Sequence, residues 1–230
     1  MIVNDMVLDY LASHNIEIIG FADLTVIPAE QRENFPFGIS IGIPYSRKSM
    51  LDNINDKPEA SWEEYNRHNQ RMAEAAIGLA RELAALGYKA SAKPQYSIMY
   101  NNDLRSLLPY KTVASLAGLG WIGKCALFVT EEYGSALRLA MVLTTAPLDC
   151  GEPLTASRCE STCTTCRDVC PAQAPSGKLW EPGMDRAEFF DAAACDQAAH
   201  QRAQALLGID HAVCALCMSH CPFTRRAFDY

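Results

Sequence analysis

The sequence predicts an α+β protein in two parts, with a first domain over residues 1–148 and a second, ferredoxin-like domain over residues 149–230. Three observations support this prediction. Apolar segments with helical and with strand periodicity occur within the first 148 residues. After Pro147 the chain changes to loops and short helices that carry cysteines. Two similar cysteine runs then follow one another, and they are the only internal repeat.

Hydrophobic spacing predicts the first elements of the chain. An amphipathic helix is expected over residues 3–14, because its apolar residues recur at helical spacing. Two apolar, β-branched segments, Ile16–Phe21 and Phe37–Tyr45, are expected to be strands. The prolines and polar residues between the strands indicate a loop, and residues 46–60 are expected to be irregular.

A long helix is predicted next, from Ser61 to about Leu86. Ser61 and Glu64 have the spacing of a capping box, and Gly87 suits the position after a helix end. Residues 90–111 are expected to form a polar, tyrosine-rich loop, and a helical turn is expected over Thr112–Ala117. A hairpin of two β-prone segments, Cys125–Thr130 and Ala136–Thr144, completes the predicted first part.

Eight of the ten cysteines lie in the two runs, and each run ends in Cys-x2-Cys-x3-Cys-Pro. Bacterial ferredoxins that hold two [4Fe–4S] clusters use a similar run, in which the last cysteine ligates the other cluster. The spacing therefore predicts two clusters with crossed ligands. One cluster is assigned to Cys159, Cys163, Cys166 and Cys221, and the other to Cys195, Cys214, Cys217 and Cys170.

Three alternatives to paired [4Fe–4S] clusters stay open at this point. Disulfides need an oxidising compartment, and the N-terminal sequence has no secretory signal. Zinc sites use four cysteines or a mixture of cysteine and histidine, but have no need for two Cys-Pro ends. A [2Fe–2S] pair fits the doubled spacing poorly.

Composition limits the class of protein. The net charge of −7 and the pI near 5.2 argue against a generally basic, nucleic-acid-binding surface. No apolar run approaches the ~20 residues of a membrane-spanning helix. Together with ten cysteines and no leader, these features lead us to expect a soluble protein of the reducing cytoplasm, without a membrane partner.

A glycine-rich stretch, Ala117-Gly-Leu-Gly-Trp-Ile-Gly-Lys124, matches Gly-x-Gly-x-x-Gly and nearly matches the Walker A pattern. Both nucleotide interpretations fail on context. A dinucleotide fingerprint follows a strand and opens a helix, whereas here a helical segment comes first and a strand follows. The Walker pattern needs Ser or Thr after the lysine, and Cys125 stands there.

The same stretch, followed by a Gly-Ser hairpin and a Cys-x2-Cys-x3-Cys-Pro run, resembles the epoxyqueuosine reductase family, in particular its short relatives with a double-cluster domain. The resemblance covers about residues 85–222. It implies an N-terminal domain akin to nitroreductases and reductive dehalogenases that holds a corrinoid (cobalamin), fed with electrons by the cluster domain. The residues implied to border the corrinoid are Gly118, Leu119, Gly120, Trp121, Ile122, Gly123 and Lys124.

The sequence also departs from that family. The tRNA-modifying members carry an Arg-Asp-Tyr-His element with a proposed proton donor, and the nearest stretch here, Glu64-Tyr-Asn-Arg-His68, lacks the aspartate. These members continue into helical repeats, whereas this sequence ends eight residues after Pro222. With the acidic composition, this makes tRNA an unexpected substrate. No Asp-x-His-x-x-Gly element is present, so a base-off corrinoid is expected.

The expected function is therefore that of an iron–sulfur reductase, which passes electrons from an external donor of the ferredoxin or flavodoxin type to a corrinoid, for reduction of a small molecule. The alternative is an electron-transfer or corrinoid-activating protein without its own substrate. Candidate proton donors are Tyr96, Tyr100 and Asp103, with Lys111 and His68 as further possibilities. Cys125 and Cys150 are expected to be small hydrophobes, and His211 and His220 to lie near ligands without ligating.

Overall fold

The computed structural model describes residues 3–230 and contains both helices and strands, which confirms the predicted α+β class. The helices are α1 (Val3–Ser13), α2 (Arg47–Ile54), α3 (Glu59–Ala85), α4 (Tyr110–Leu116), α5 (Thr165–Asp168), α6 (Ala192–Leu207), α7 (Leu216–His220) and α8 (Pro222–Phe228). The strands are β1 (Ile18–Asp23), β2 (Phe37–Pro44), β3 (Ala90–Lys93), β4 (Trp121–Ile122), β5 (Phe128–Val129) and β6 (Leu137–Thr144).

The chain divides into two compact units, each assembled from three segments. The first unit contains the chain up to Pro44, Asn66–Leu119 and Arg138–Leu154, and the second contains Tyr45–Tyr65, Gly120–Leu137 and Thr155–Tyr230. Compactness does not by itself define a part that folds alone. The division into domains 1–148 and 149–230 therefore stays a prediction.

The first unit is built on a four-stranded sheet with the order β1-β2-β6-β3. β1 pairs antiparallel with β2, from Ile18 opposite Gly42 to Asp23 opposite Phe37, and β3 pairs antiparallel with β6. Side chains of β6 alternate between two apolar clusters, because successive residues of a strand point to opposite faces. Ala140 and Val142 pack with α1 and α3, whereas Met141 and Leu143 pack with α4. The sheet is therefore covered on both faces.

The second unit has little sheet. β4 and β5 form a short antiparallel pair, with Trp121 opposite Val129 and Ile122 opposite Phe128. Helix α7 contacts α2, α5 and α8. One apolar cluster of the second unit consists of Tyr45, Met50 and Ala136, with partly buried aromatic and methionine side chains packed around them.

The predicted helix 3–14, the strand at 37–45, the helical turn at 112–117 and the long helix to about residue 86 are confirmed within one or two residues. The first strand, predicted at 16–21, begins and ends two residues later. Two other predictions are wrong. Residues 46–60 are not irregular, because Ser46 caps α2 by accepting from the Ser49 amide at 3.1 Å. The capping box at Ser61 does not form: Ser61 donates to the Ser49 carbonyl at 3.1 Å, and Glu64 accepts from the Ser46 amide at 2.9 Å.

The predicted hairpin is also wrong, and part of the predicted 90–111 loop is ordered. β5 pairs with β4, while β6 lies between β2 and β3 in the other sheet. The reason is burial: nearly every residue of β6 is buried, and a strand covered on both faces belongs inside a sheet rather than in a two-stranded hairpin. Ala90–Lys93 supplies its outer neighbour as β3.

Among residues 3–230, none of the helices combines the length and the apolar character that a membrane crossing requires.

Candidate iron–sulfur site

The eight cysteines of the two runs all belong to the second unit. Cys221 of the second run lies close enough to Cys159 of the first for their charges to interact. In the same way, Cys195 interacts with both Cys170 and Cys214. These neighbours are the ones that the crossed assignment requires, since each set takes one cysteine from the opposite run.

The Cys-Pro end of the second run has a local structural reason. Pro222 is the first residue of α8, where its fixed φ and missing N–H are tolerated. Cys221 precedes it at the helix start, and its sulfur accepts hydrogen bonds from the backbone of Phe223 and Thr224. Burial raises the pKa of Cys221 and these hydrogen bonds lower it, with burial the larger effect. The proline therefore starts a helix that presents amides to a sulfur.

Lys124 anchors the first cysteine run. Its side chain is buried, and Nζ donates to the carbonyl of Ser161 at 2.8 Å and to that of Cys163 at 2.9 Å. A buried ammonium group needs such acceptors, because desolvation without them is costly. The ammonium thus fixes the loop before Cys163 and places a positive charge beside a predicted cluster ligand.

Cys125 is a fully buried thiol that lies between the two runs. Its thiol lies near enough to interact with those of Cys166, assigned to one cluster, and Cys217, assigned to the other. Contact with Cys166 lowers the pKa of Cys125, but contact with Cys217 and burial outweigh it and leave the pKa well above its ordinary value. Contact with Cys125, followed by burial, also raises the pKa of Cys166. Cys125 is buried, as predicted for a cysteine that acts as a small hydrophobic residue. Its neighbours, however, include the thiols of two other cysteines.

Burial governs the other thiols of the site. It raises the pKa of Cys195 to about 11, with smaller contributions from Cys170 and Cys214. It also raises the pKa of Cys214. Because thiolates are the ligands of iron, binding must displace protons from these side chains. We therefore expect cluster assembly to release protons.

Within residues 3–230, no three His, Cys, Asp or Glu side chains converge closely enough to hold a single metal ion. A four-iron cluster is larger than one ion, so its thiolates stand farther apart than the ligands of a single zinc.

The glycines of the Gly118–Lys124 stretch approach the protein's own backbone. A Cβ at Gly118, which has a φ of +72°, would lie 2.4 Å from the Glu152 carbonyl oxygen. A Cβ at Gly120 would lie 2.1 Å from the Val129 carbonyl oxygen. Both glycines are therefore required by internal packing, and they give no observation in favour of a corrinoid cradle.

The remaining residues of this stretch are also buried or half-buried. Leu119 packs in the first unit, where a Cβ at Gly20 would meet its side chain. Trp121 is fully buried, and its ring stands edge-on to Phe223 with 5.0 Å between the ring centroids. Ile122 is a buried residue of β4, and Gly123 follows it in the chain. A side chain at position 123 would clash with the side chain of Val129.

The three candidate proton donors lie in an exposed segment of the first unit. Tyr96 is 75% exposed, Tyr100 is 53% exposed, and Asp103 is exposed as well. Tyr100 Oη accepts from Gln95 Nε2 at 3.4 Å, and the Asp103 amide donates to Asn101 Oδ1 at 3.0 Å. These contacts are local, and the catalytic role of the three residues stays a prediction.

The other candidates differ in burial. His68 is buried and Lys111 is half-buried, both in the first unit. Cys150 packs against the core of that unit, as expected of a small hydrophobe. In the second unit, His211 Nε2 lies 3.3 Å from Tyr65 Oη and His220 Nδ1 lies 3.0 Å from the Leu216 carbonyl oxygen.

Sequence reasoning missed two residues that contact or act on the cysteines. Cys125 carries no spacing signal, because it stands outside both runs. Arg202 acts electrostatically on Cys214, and only its position seven residues after Cys195 on a helix could have suggested this.

Comparison with known proteins supports the resemblance drawn from the motifs. The chain is 37% identical over 121 residues to an epoxyqueuosine reductase of Gloeobacter violaceus, covering 51% of this chain and 36% of that protein. It is 32% identical over 152 residues to an epoxyqueuosine reductase of Lactococcus garvieae, covering 60% of this chain and 38% of that one. The alignments thus span just over a third of these relatives. No protein-family model matches the sequence.

Solved structures show the same fold at low identity. An epoxyqueuosine reductase with an epoxyqueuosine-modified tRNA-Tyr stem loop superposes with a TM-score of 0.61 and 18% identity, covering 97% of this chain and 65% of that one. The catabolic reductive dehalogenase NpRdhA superposes with a TM-score of 0.66 and 16% identity, covering 95% and 31%. The predicted resemblance is confirmed: this chain of 230 residues is a homologue of epoxyqueuosine reductases over about half of its length, on a fold that reductive dehalogenases share.

Proposed function

We propose that this protein is an iron–sulfur oxidoreductase that passes electrons through two [4Fe–4S] clusters to a base-off corrinoid, for the reduction of a small molecule. The observation that carries the proposal is the approach of cysteines from opposite runs, Cys221 to Cys159 and Cys170 to Cys195. The homology to epoxyqueuosine reductases supports a redox enzyme.

The donor set fits two clusters. Cys159, Cys163, Cys166 and Cys221 would hold the first, and Cys170, Cys195, Cys214 and Cys217 the second. Clusters of this type supply one-electron transfer, at potentials set by charge, hydrogen bonding and exposure. The protein's own contribution is to keep water away, by burying Cys221 and most of Cys214, and to fix the first loop through Lys124.

The corrinoid is proposed from the fold. It is supported by the fold, since a solved relative in this group is described as a reductive dehalogenase with a mechanism for B12-dependent dehalogenation. The glycines of residues 118–124 do not add to it, because they pack against Glu152 and Val129. We therefore assign no step of the reaction to residues of this stretch.

The test is to purify the protein anaerobically and measure iron, sulfide and cobalt. We expect about eight irons per chain, the content of two four-iron clusters, and a shift of the cobalt absorption bands when cobalamin is added. Zinc in place of iron would contradict the clusters. Iron without any response of cobalamin would contradict the corrinoid but leave the cluster assignment standing.

One observation favours the alternative function, electron delivery to a partner's corrinoid. The segment after β3 exposes several large apolar side chains close together in sequence, Tyr96, Met99 and Leu107. Exposed apolar groups of this kind often mark protein contacts. The two functions differ in whether they require a partner protein. The alternative predicts electron transfer from a ferredoxin- or flavodoxin-type donor only when such a partner is added. The net charge of −7 and the missing aspartate near His68 give no support to tRNA as substrate.

A further inference from the structure

Helix α6 carries a cluster ligand and an arginine on the same face. The helix begins after Asp191, which accepts from the Ala194 amide at 2.9 Å, and ends at Gly208 in the left-handed conformation. Cys195 and Arg202 are seven residues apart on it. Seven residues are almost two full turns, so the two side chains leave the same face about 10 Å apart along the axis.

Arg202 is largely buried, and its positive charge is only partly compensated. Its side chain is 14% exposed, and its Nη1 lies 2.7 Å from Asp56 Oδ1. Nη2 donates to the Asn53 carbonyl at 3.3 Å. The Asp56 side chain is 66% exposed, so water screens much of its charge. The guanidinium therefore keeps a net positive field on its buried side.

The buried side of Arg202 is short of acceptors. Its Nε is buried and has no hydrogen-bond partner among residues 3–230. The side-chain amide nitrogen and oxygen of Asn53, which is fully buried, also lack partners among these residues. An unsatisfied buried donor is costly and rare in proteins. Thiolate sulfur is an acceptor of the kind that such a donor lacks. Arg202 also lies close enough to Cys214 to act electrostatically on its sulfur.

We propose that Arg202 is a positioning residue whose guanidinium raises the reduction potential of the cluster held by Cys170, Cys195, Cys214 and Cys217. This inference rests on the proposed iron–sulfur function. Reduction adds one electron from an external one-electron donor to the cluster, with no bond broken and no proton moved. The added negative charge is stabilised by a nearby buried cation, because Coulomb interactions are strong where water is excluded.

The test is a redox titration of the anaerobically purified full chain, with the cluster signals followed by EPR. Arg202→Gln removes the charge, and we expect one of the two cluster potentials to fall by about 60 mV, a tenfold change in a one-electron equilibrium constant. Asp56→Asn removes the partly compensating carboxylate and is expected to move the same potential upward. Asparagine suits this position, because Asp56 has a φ of +56° and asparagine tolerates the left-handed region.

Two further variants keep the test decisive. Arg202→Lys retains the charge, and we expect it to restore most of the potential lost in Arg202→Gln. Arg226→Gln is the matched control in the same unit: Arg226 also pairs with a carboxylate, Glu131 at 3.0 Å, but its side chain is 65% exposed and its charge is screened. The control should leave both potentials in place.

A merely structural role for Arg202 would not move the potential in opposite directions in Arg202→Gln and Asp56→Asn. Iron content near the wild-type value with unchanged potentials in both variants would overturn the inference, as would shifts of the same sign. A wild-type protein that contains no iron–sulfur cluster would instead overturn the proposed function itself. The two failures are thus distinguished by the iron content of the unsubstituted chain.

Discussion

At the residue scale, the buried ammonium group of Lys124 holds the loop of the first cysteine run in place. The Nζ atom of Lys124 donates to the carbonyl oxygens of Ser161 and Cys163. Backbone acceptors satisfy the ammonium without cancelling its charge. The lysine can therefore order the loop and at the same time offset the negative charge of thiolates.

Lys124→Met is predicted to loosen this loop. The substitution keeps the length of the side chain but removes the donor from the carbonyl groups of Ser161 and Cys163. We expect the free energy of unfolding to fall by about 3 kcal/mol, since charge-assisted hydrogen bonds contribute about 1.5–3 kcal/mol each. Iron content should fall toward about four per chain, as one of two clusters is lost. Denaturant titration and iron analysis provide the measurements.

Lys178→Met is the control for this prediction, because Lys178 is an exposed lysine of the same unit. It should retain the iron content and stability of the wild type. Equal iron loss in both variants would show that the effect is one of overall charge rather than of the hydrogen bonds made by Lys124.

Gly120→Ala tests whether internal packing explains the glycine-rich stretch. The new methyl group would lie 2.1 Å from the carbonyl oxygen of Val129, so β4 and β5 would have to separate. We expect a loss of about 3 kcal/mol in the free energy of unfolding, at the upper end for overpacked sites. Denaturant unfolding, monitored by tryptophan fluorescence, measures this loss.

Gly183→Ala provides the comparison in the same unit. Gly183 has a φ of +85°, but nothing lies within 4 Å of a Cβ at that position. Only the backbone preference then opposes alanine, at about 1–2 kcal/mol. If Gly120→Ala were the milder substitution, close packing would not be the reason for glycine at 120.

At the scale of elements, α7 and α8 are joined by a hydrogen bond from the end of the chain. Tyr230 Oη donates to the Ser219 carbonyl at 2.7 Å, and the tyrosine packs with Tyr45 and Met50. Burial raises the pKa of Tyr230 to about 12, above the ordinary value of about 10. The folded protein therefore binds the phenolic proton more tightly than the unfolded chain does.

Tyr230→Phe is predicted to lower stability by about 1 kcal/mol at neutral pH, the net value of one hydrogen bond. A raised pKa contributes stability that is fully present below pH 10 and is lost as the pH rises to about 12. The difference in melting temperature between wild type and Tyr230→Phe should therefore shrink over this range. A difference that stays constant from pH 8 to pH 12 would contradict the role of the phenolic proton.

The elements that the sequence predicts well are those whose pattern is local. The α1 helix and β2 strand follow from hydrophobic spacing, and the end of α3 follows from Gly87, which has a φ of +90°. By contrast, the position of β6 depends on which strands lie beside it. Glu64 likewise accepts from Ser46, eighteen residues earlier, instead of closing a local capping box. Such pairings are set by tertiary contacts that spacing does not contain.

The candidate site divides in the same way. The cysteine spacing predicts the ligand sets, because a cluster imposes a regular pattern on nearby residues, and this assignment stays a prediction. The residues that surround these cysteines have no regular spacing from which their positions could be predicted. Lys124 stands in a stretch whose resemblance implies a corrinoid border, yet its Nζ binds the loop before Cys163. Cys125 and Arg202 reach the cysteines only through the fold.

For the molecule as a whole, the proposed crossed ligation would make each of the two clusters depend on both cysteine runs. If each cluster takes one cysteine from the opposite run, Cys221 and Cys163 belong to one cluster and Cys170 to the other. Single Cys→Ser substitutions at these positions should each lower the iron content from about eight to about four per chain, the content of one cluster. Singles alone therefore do not reveal which cysteines share a cluster.

Double substitutions do reveal it. Two ligands of the same cluster act as one unit, and their effects are not additive. We expect Cys163→Ser/Cys221→Ser to retain about four irons, whereas Cys163→Ser/Cys170→Ser should lose nearly all of them. Cys150→Ser, which lies in the other unit, is the control and should keep both clusters. The reverse result, with iron retained when Cys163 and Cys170 are replaced together, would mean that each run binds its own cluster, and it would contradict the pairing of Cys221 with Cys159 and of Cys170 with Cys195.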